Sequence, residues 1–253
     1  MTYPHLPPEI AELRERTRRF IREVVVDAEP VPGGRLDQAT RDRLQAAAKE
    51  AGVFAPLVPK EYGGQGLPIE RWSPILQEAG YSPIGPAALN CMAPDEGNMH
   101  MLNLLATEEQ KKRYLAPLAA GDVRSCFGMT EPHPGAGSDP AALRTTAVRA
   151  DGGWIIDGRK RFTSGAVGAA FCIVMARTPA MDGAPEGATM FLVTSTCSRS
   201  TPPGWSPSRQ LSSSDGSAAR VPGSEPHTPG TRRRNPLLHV APLERASTPT
   251  RTS

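Results

Sequence analysis

Phe127-Gly128-Met129-Thr130-Glu131-Pro132-His133-Pro134-Gly135-Ala136-Gly137-Ser138-Asp139 marks the point where this chain changes its structural habit. The residues entering it, 123–129, form a short apolar run that reads as a strand, and the prolines and glycines after it demand a turn. Gly135-Ala136-Gly137 lets backbone approach another group closely, because neither glycine carries a Cβ. It is not a dinucleotide fingerprint, since no strand–helix–strand unit surrounds it. His133, next to a proline, reads as a solvated loop residue.

Upstream of this stretch nearly everything reads as helix and loop. Ile10, Leu13, Thr17, Phe20, Ile21, Val24 and Val25 recur at steps of three and four, predicting an amphipathic helix over 8–28. A second helix is expected over 37–51, closed by Gly52. Residues 60–66 form a glycine-rich turn, and helical pattern returns over 68–80 and 86–105. Thr107-Glu108-Glu109-Gln110 has the form of a capping box opening a helix over 111–119.

Downstream, residues 145–150, 153–157, 159–164, 171–177 and 189–193 are short segments divided by Asp, Gly and Pro, with Asp151-Gly152 as a hairpin signal. Helices followed by strands, without alternation, predict an α+β fold. The expected organisation is an N-terminal helical domain over 1–121, an incomplete antiparallel β-domain over 122–193, and a disordered tail over 194–253. In that tail 29 of 60 residues are Ser, Thr or Pro, and Trp205 is its one aromatic, too little apolar surface to offset chain entropy. Its Arg without Lys, beside Ser, Pro and Thr, reads like GC-rich DNA translated out of frame.

Charge follows the same division. The whole chain carries +3, but residues 194–253 hold eight Arg against three acidic residues, so the body is close to neutral and bears no nucleic-acid footprint. Cys91, Cys126, Cys172 and Cys197 include no CxxC pair, which points to reduced thiols and to neither a disulfide framework nor a metal site. With no signal peptide and no membrane-length apolar run expected, the predicted compartment is the cytoplasm.

Four stretches resemble the acyl-CoA dehydrogenase family, in the family's own order. They are Pro59-Lys60-Glu61-Tyr62-Gly63-Gly64-Gln65-Gly66; Thr107 to Leu115 with Pro117-Leu118-Ala119-Ala120-Gly121; Phe127 to Asp139; and Gly158-Arg159-Lys160-Arg161-Phe162-Thr163-Ser164-Gly165-Ala166. The resemblance implies FAD as cofactor, with Phe127 in the flavin signature and Met129 and Thr130 along the flavin ring, Thr130 bonding its pyrimidine edge. It implies that Ser138 reaches a phosphate of the flavin or of CoA, so that it serves cofactor or substrate. Phe162 takes the place of an aromatic packed on the ring, and Ser164 that of a hydroxyl near N5. Fixed N–H and hydroxyl groups stabilise the charge of a reduced flavin without reorganising. Two departures, the inserted His133-Pro134 and Phe162-Thr163-Ser164-Gly165 in place of the commoner Trp-Ile-Thr-Asn, resemble the subgroup of kinase-fused animal members and their bacterial relatives.

Family members remove the α-proton of an acyl-CoA thioester with a carboxylate while the β-hydrogen leaves as hydride to the flavin. The base sits in a C-terminal helical domain that nothing after Val193 resembles; Asp215, Glu225 and Glu244 lie in sequence without helical periodicity and are assigned no catalytic role. Implied partners are an acyl-CoA substrate, an electron-transfer flavoprotein-like acceptor and, in the family, further copies of the chain. Two readings follow. One is a truncated, FAD-dependent acyl-CoA dehydrogenase-like oxidoreductase with impaired activity; the other is a non-catalytic acyl-CoA- or flavin-binding or interaction fragment with a basic tail.

Overall fold

The computed structural model describes residues 6–150, 153–180, 185–194, 219–220 and 241–242. The chain divides into two units, Met1–Leu104 with Glu108–Asp122 and Leu105–Thr107 with Val123–Ser253.

The first unit is helical. Helix α1 (Pro8–Phe20) buries Ile10, Leu13, Thr17 and Phe20 on one face, and the Thr17 hydroxyl donates to the Leu13 carbonyl at 2.8 Å. Thirteen residues are marginal as an isolated helix, so this buried face holds it. The helical path continues through a widened turn, Ile21–Val25, whose two end residues are fully buried, and then a tighter turn, Val26–Ala28. Helix α2 (Gln38–Glu50) starts at Asp37, whose carboxylate accepts from the Thr40 N–H at 2.9 Å and the Thr40 hydroxyl at 2.8 Å. Helix α3 (Trp72–Ala79) is tied to α1 by Glu78, which accepts from Arg14 Nη2 at 2.7 Å and, from the widened turn, Arg22 Nη1 at 3.0 Å.

The helix expected over 86–105 is in fact two, α4 (Gly85–Ala88) and α5 (Asp95–Leu105). Asn90 interrupts them with φ +53, a left-handed conformation no helix accommodates. Its cause lies elsewhere in the chain. After α6 (Glu108–Gln110) and a second widened turn, Lys111–Leu115, helix α7 (Ala116–Ala120) ends with carbonyls only partly served by the backbone, the Gly121 N–H donating to Leu118 at 3.1 Å. Asn90 Nδ2 donates to the carbonyls of Leu118 and Ala119 at 3.0 and 3.1 Å. Lys49 Nζ donates to Ala120 at 2.9 Å, and Arg41 Nη1 to Gly121 at 3.2 Å. Gly121 turns the chain at φ +83, and a Cβ there would overlap the Gln45 side chain.

The second unit is a sheet. Its strands are β1 (Ser125–Gly128), β2 (Thr146–Ala150), β3 (Gly153–Asp157), β4 (Arg159–Lys160), β5 (Phe171–Thr178), β6 (Gly187–Thr194), β7 (Ala219–Arg220) and β8 (Ala241–Pro242). The order is β3-β2-β5-β6-β8, while β4 pairs with β7 separately. The pairs β2–β3, β5–β6 and β6–β8 are antiparallel, yet β1 runs parallel to β5, so the sheet is mixed where a purely antiparallel one was expected. Parallel pairing needs a long crossover, and residues 129–170 supply it. Ala147, Trp154, Ile156, Val174, Ala176 and Phe191 form the core, with Trp154 and Phe191 edge-on at 5.2 Å.

The hairpin signal at Asp151-Gly152 falls outside the described residues, although Ala150 and Gly153 on either side are paired. Apart from Thr194, which ends β6 opposite Phe171, and the two-residue strands β7 and β8, the residues of the expected tail also fall outside them. Among the described residues no helix is long and apolar enough to cross a membrane.

Asn90→Gly keeps the left-handed turn but removes both bonds to α7, and should cost about 1–2 kcal/mol in urea unfolding. Asn90→Ala adds backbone strain and should cost about 1 kcal/mol more. Equal losses for the two variants would show that the conformation at residue 90 carries no strain.

Candidate functional site

Strands β1 and β2 lie along the same edge of β5. β1 reaches Gly128 opposite Val174, and β2 resumes with Thr146 opposite Arg177. The chain spends residues 129–145 to advance three positions along β5, so this segment is an excursion from one interrupted strand. Such a loop carries a closure cost, and its backbone polar groups need partners.

Glu131 supplies them. Its side chain is 3% exposed. Oε2 accepts from the N–H groups of Ala136 and Arg144 at 3.1 and 2.9 Å, and Oε1 from the Thr145 N–H at 2.8 Å and Lys160 Nζ at 3.0 Å. The Glu131 N–H donates to the Gly137 carbonyl at 2.9 Å. One carboxylate thus fastens both ends of the excursion and its middle. Gly135 is glycine because a Cβ there would lie 2.7 Å from Glu131 Cβ, so the close approach expected of Gly135-Ala136-Gly137 is made, at this residue, to the protein's own carboxylate.

Burial works to raise the Glu131 carboxyl, but the Thr145 side chain and the N–H groups of Ala136, Arg144 and Thr145 outweigh it and hold it at about 2. Lys160, 4% exposed, moves the other way relative to its pairing: burial lowers its ammonium even beside a carboxylate. Backbone donors, more than the lysine, therefore stabilise Glu131. Lys160 instead depends on Glu131 and on the Met129 carbonyl, to which Nζ donates at 3.0 Å.

Lys160 lies at the end of β4, and the strand expected over 159–164 stops there. The Arg161 N–H donates to the Thr130 carbonyl at 2.9 Å, and Phe162 then takes φ +55. A bulky residue there costs about 1–3 kcal/mol and persists only where its surroundings impose it. Phe162 is 72% exposed, with the Arg161 guanidinium 3.9 Å above its ring centroid. Arg161 Nε and Thr163 Oγ1 are buried and have no hydrogen-bond partner among the described residues.

The residues singled out from the sequence are distributed unevenly. Met129 and Thr130, both half-buried, are tied through their carbonyls to Lys160 and Arg161, next to Phe162. Ser164 is exposed, its N–H donating to the Phe162 carbonyl at 3.1 Å. Ser138 is exposed in the turn after Gly137, whose carbonyl links it to Glu131. Phe127 sits further back in β1, opposite Ile173. Sequence reading missed Glu131 and Lys160 as the residues that assemble this site; each looked like one letter of a motif. Cys126 and Cys172 face each other across β1 and β5, and the Cys126 side chain together with burial pushes the Cys172 thiol well above its usual range. Among the described residues no three His, Cys, Asp or Glu side chains are grouped to hold a metal ion.

Comparison with known proteins matches the sequence models described as "Acyl-CoA dehydrogenase, N-terminal domain" at residues 7–122 and "Acyl-CoA dehydrogenase, middle domain" at 126–219. Acyl-CoA dehydrogenase family member 10 of Mus musculus is 34% identical over 204 residues, covering 74% of this chain and 19% of its own. A glutaryl-CoA dehydrogenase from Mycobacterium smegmatis, solved in complex with FADH2, superposes with a TM-score of 0.54 at 27% identity, over 75% of this chain and 46% of its own. An acyl-CoA dehydrogenase from Geobacillus kaustophilus gives 0.57 at 26% identity, over 79% and 50%. The chain therefore spans half or less of the length of each of these three proteins.

The asymmetry between Glu131 and Lys160 is testable. Glu131→Gln strands a buried ammonium and should cost about 3–5 kcal/mol, whereas Lys160→Met leaves a carboxylate still held by three N–H groups and should cost less than about 2 kcal/mol. Because the folded carboxyl lies below its ordinary value of 4.5, its contribution is complete above that pH and is lost as pH falls toward 2. That acid slope, worth about 3 kcal/mol, should disappear in Glu131→Gln. Equal destabilisation by the two substitutions in denaturant titrations would contradict the assignment.

Proposed function

The chain belongs to the acyl-CoA dehydrogenase family through its N-terminal and middle domains, and from that premise we propose that it provides the flavin side of a site for FAD-dependent α,β-dehydrogenation of an acyl-CoA thioester. The observation that carries this reading is the Glu131-fastened excursion, which ties Met129 and Thr130 through their carbonyls to Lys160 and Arg161, the residues that lead into the exposed Phe162. A buried, unpartnered hydroxyl in the adjoining segment, Thr163 Oγ1, suits a ligand that brings an acceptor, and an exposed aromatic suits one that brings a flat ring. FAD fits both requirements and, when bound, supplies the hydride acceptor.

In this assignment the Thr130 hydroxyl bonds the pyrimidine edge of the flavin, with Met129 along the ring and Phe127 behind it in the strand. Phe162 packs against the ring, Ser164 places its hydroxyl near N5, and Ser138 takes a phosphate of the flavin or of CoA. None of the carboxylates around this loop acts as the catalytic base. Glu131 is buried, accepts from four donors and is held at about 2, so it neither reaches a substrate nor takes up a proton near neutral pH. Asp139 accepts from the Ala141 N–H at 2.9 Å and caps a short turn. We assign the base to the helical domain that the family resemblance places after the middle domain, so that the described residues by themselves supply the flavin side without a base. On the same reading the electrons pass to an electron-transfer flavoprotein-like acceptor and the chain is cytoplasmic.

Purified chain titrated with FAD should take up flavin weakly, and butanoyl-, octanoyl- or palmitoyl-CoA should not bleach it. Thr130→Ala should weaken FAD binding about fivefold, the worth of one hydrogen bond. Rapid bleaching by any of the thioesters would overturn the assignment of the base, and a colourless protein at saturating FAD would favour the non-catalytic interaction fragment.

A further inference from the structure

Arg161, Phe162 and Thr163 combine features that packing alone does not account for. Phe162 is held at φ +55 with 72% of its surface open, an arrangement that buries little apolar area while straining the backbone. The Arg161 guanidinium covers the ring at 3.9 Å. Such a cation can lie over only one face of an aromatic ring, so the exposure of Phe162 belongs largely to its other face. The main chain that carries both residues is anchored, since the Arg161 backbone N–H donates to the Thr130 carbonyl at 2.9 Å. Neither a buried core nor a freely moving surface aromatic has this combination.

We propose that Arg161 is a positioning residue: its guanidinium fixes Phe162 as a one-sided platform on which the planar ring of the flavin stacks, an inference that rests on the reading of this segment as an FAD site. The guanidinium limits the rotamers open to Phe162, so less conformational freedom is lost when a ring docks on the free face. The backbone bond from residue 161 to Thr130 joins the platform to the residue assigned to the pyrimidine edge, and the two hold one register. Lysine is a poor substitute, because an ammonium keeps the charge but lacks the plane that stacks over an aromatic.

The test uses the full chain and two probes, FAD and riboflavin, followed by quenching of flavin fluorescence, with thermal unfolding recorded alongside. Arg161→Met should weaken both flavins about fivefold and Arg161→Lys about twofold, with the unfolding temperature unchanged. Phe162→Leu should weaken both by a similar factor, and Arg161→Met combined with it should add little, since the arginine acts through the ring. Riboflavin carries no phosphate, so a loss confined to FAD would make Arg161 a phosphate ligand and overturn the proposal. Unchanged affinity for both probes in Arg161→Met and Arg161→Lys would also overturn it while leaving the flavin site standing. Absence of flavin uptake by the unsubstituted chain would remove the site and the platform together.

Discussion

A strand that breaks off, wanders for seventeen residues and resumes on the same sheet edge must be closed at its base, and here a single buried carboxylate closes it. Glu131 accepts from Ala136 in the excursion, from Arg144 and Thr145 at its return, and from Lys160 on the adjoining short strand. A buried charge without partners would be prohibitive, and a loop without them would leave its own N–H groups unsatisfied. Each requirement answers the other. The positions of Met129, Thr130 and Arg161 follow, because the bonds that fix them run through Lys160 or directly across to the segment it begins.

This arrangement separates structural from chemical carboxylates. A group held at about 2 and surrounded by donors is a permanent anion, suited to organising backbone and unsuited to exchanging protons. What the excursion and the segment after Lys160 offer a ligand is different in kind: backbone and hydroxyl groups along one strand end, the open ring of Phe162, and the unpartnered Thr163 hydroxyl. Those are the properties of a surface that binds and polarises a preformed cofactor. The helical unit uses the same logic at α7, where Asn90, Lys49 and Arg41 satisfy the carbonyls of a helix end.

The parts legible in the sequence were those with local causes. Asp37 three positions ahead of Thr40, and apolar residues at steps of three and four after Pro8, give helices α2 and α1 directly. The gap between α4 and α5 was hidden because Asn90 answers carbonyls 28 and 29 residues away. The parallel β1–β5 pair was hidden for a similar reason, since Ser125 meets Phe171 across a long crossover. Strand β4 reads as longer in sequence than it is, since β-branched and aromatic residues after Lys160 suggest extended backbone and only the conformation of Phe162 stops it. The flavin residues became visible through family resemblance alone. Glu131 and Lys160, 29 residues apart, look like an ordinary loop acid and an ordinary strand base until the fold brings them together.

The most direct measurement is native-state hydrogen exchange of the Ala136, Arg144 and Thr145 amides in the intact chain. If Glu131 closes the excursion, these three loop amides should exchange as slowly as those of β5 and open together with the sheet. Exchange at the rate of exposed loop amides, while β5 stays protected, would contradict the account, because the carboxylate would then not be holding the segment on which the proposed flavin site depends.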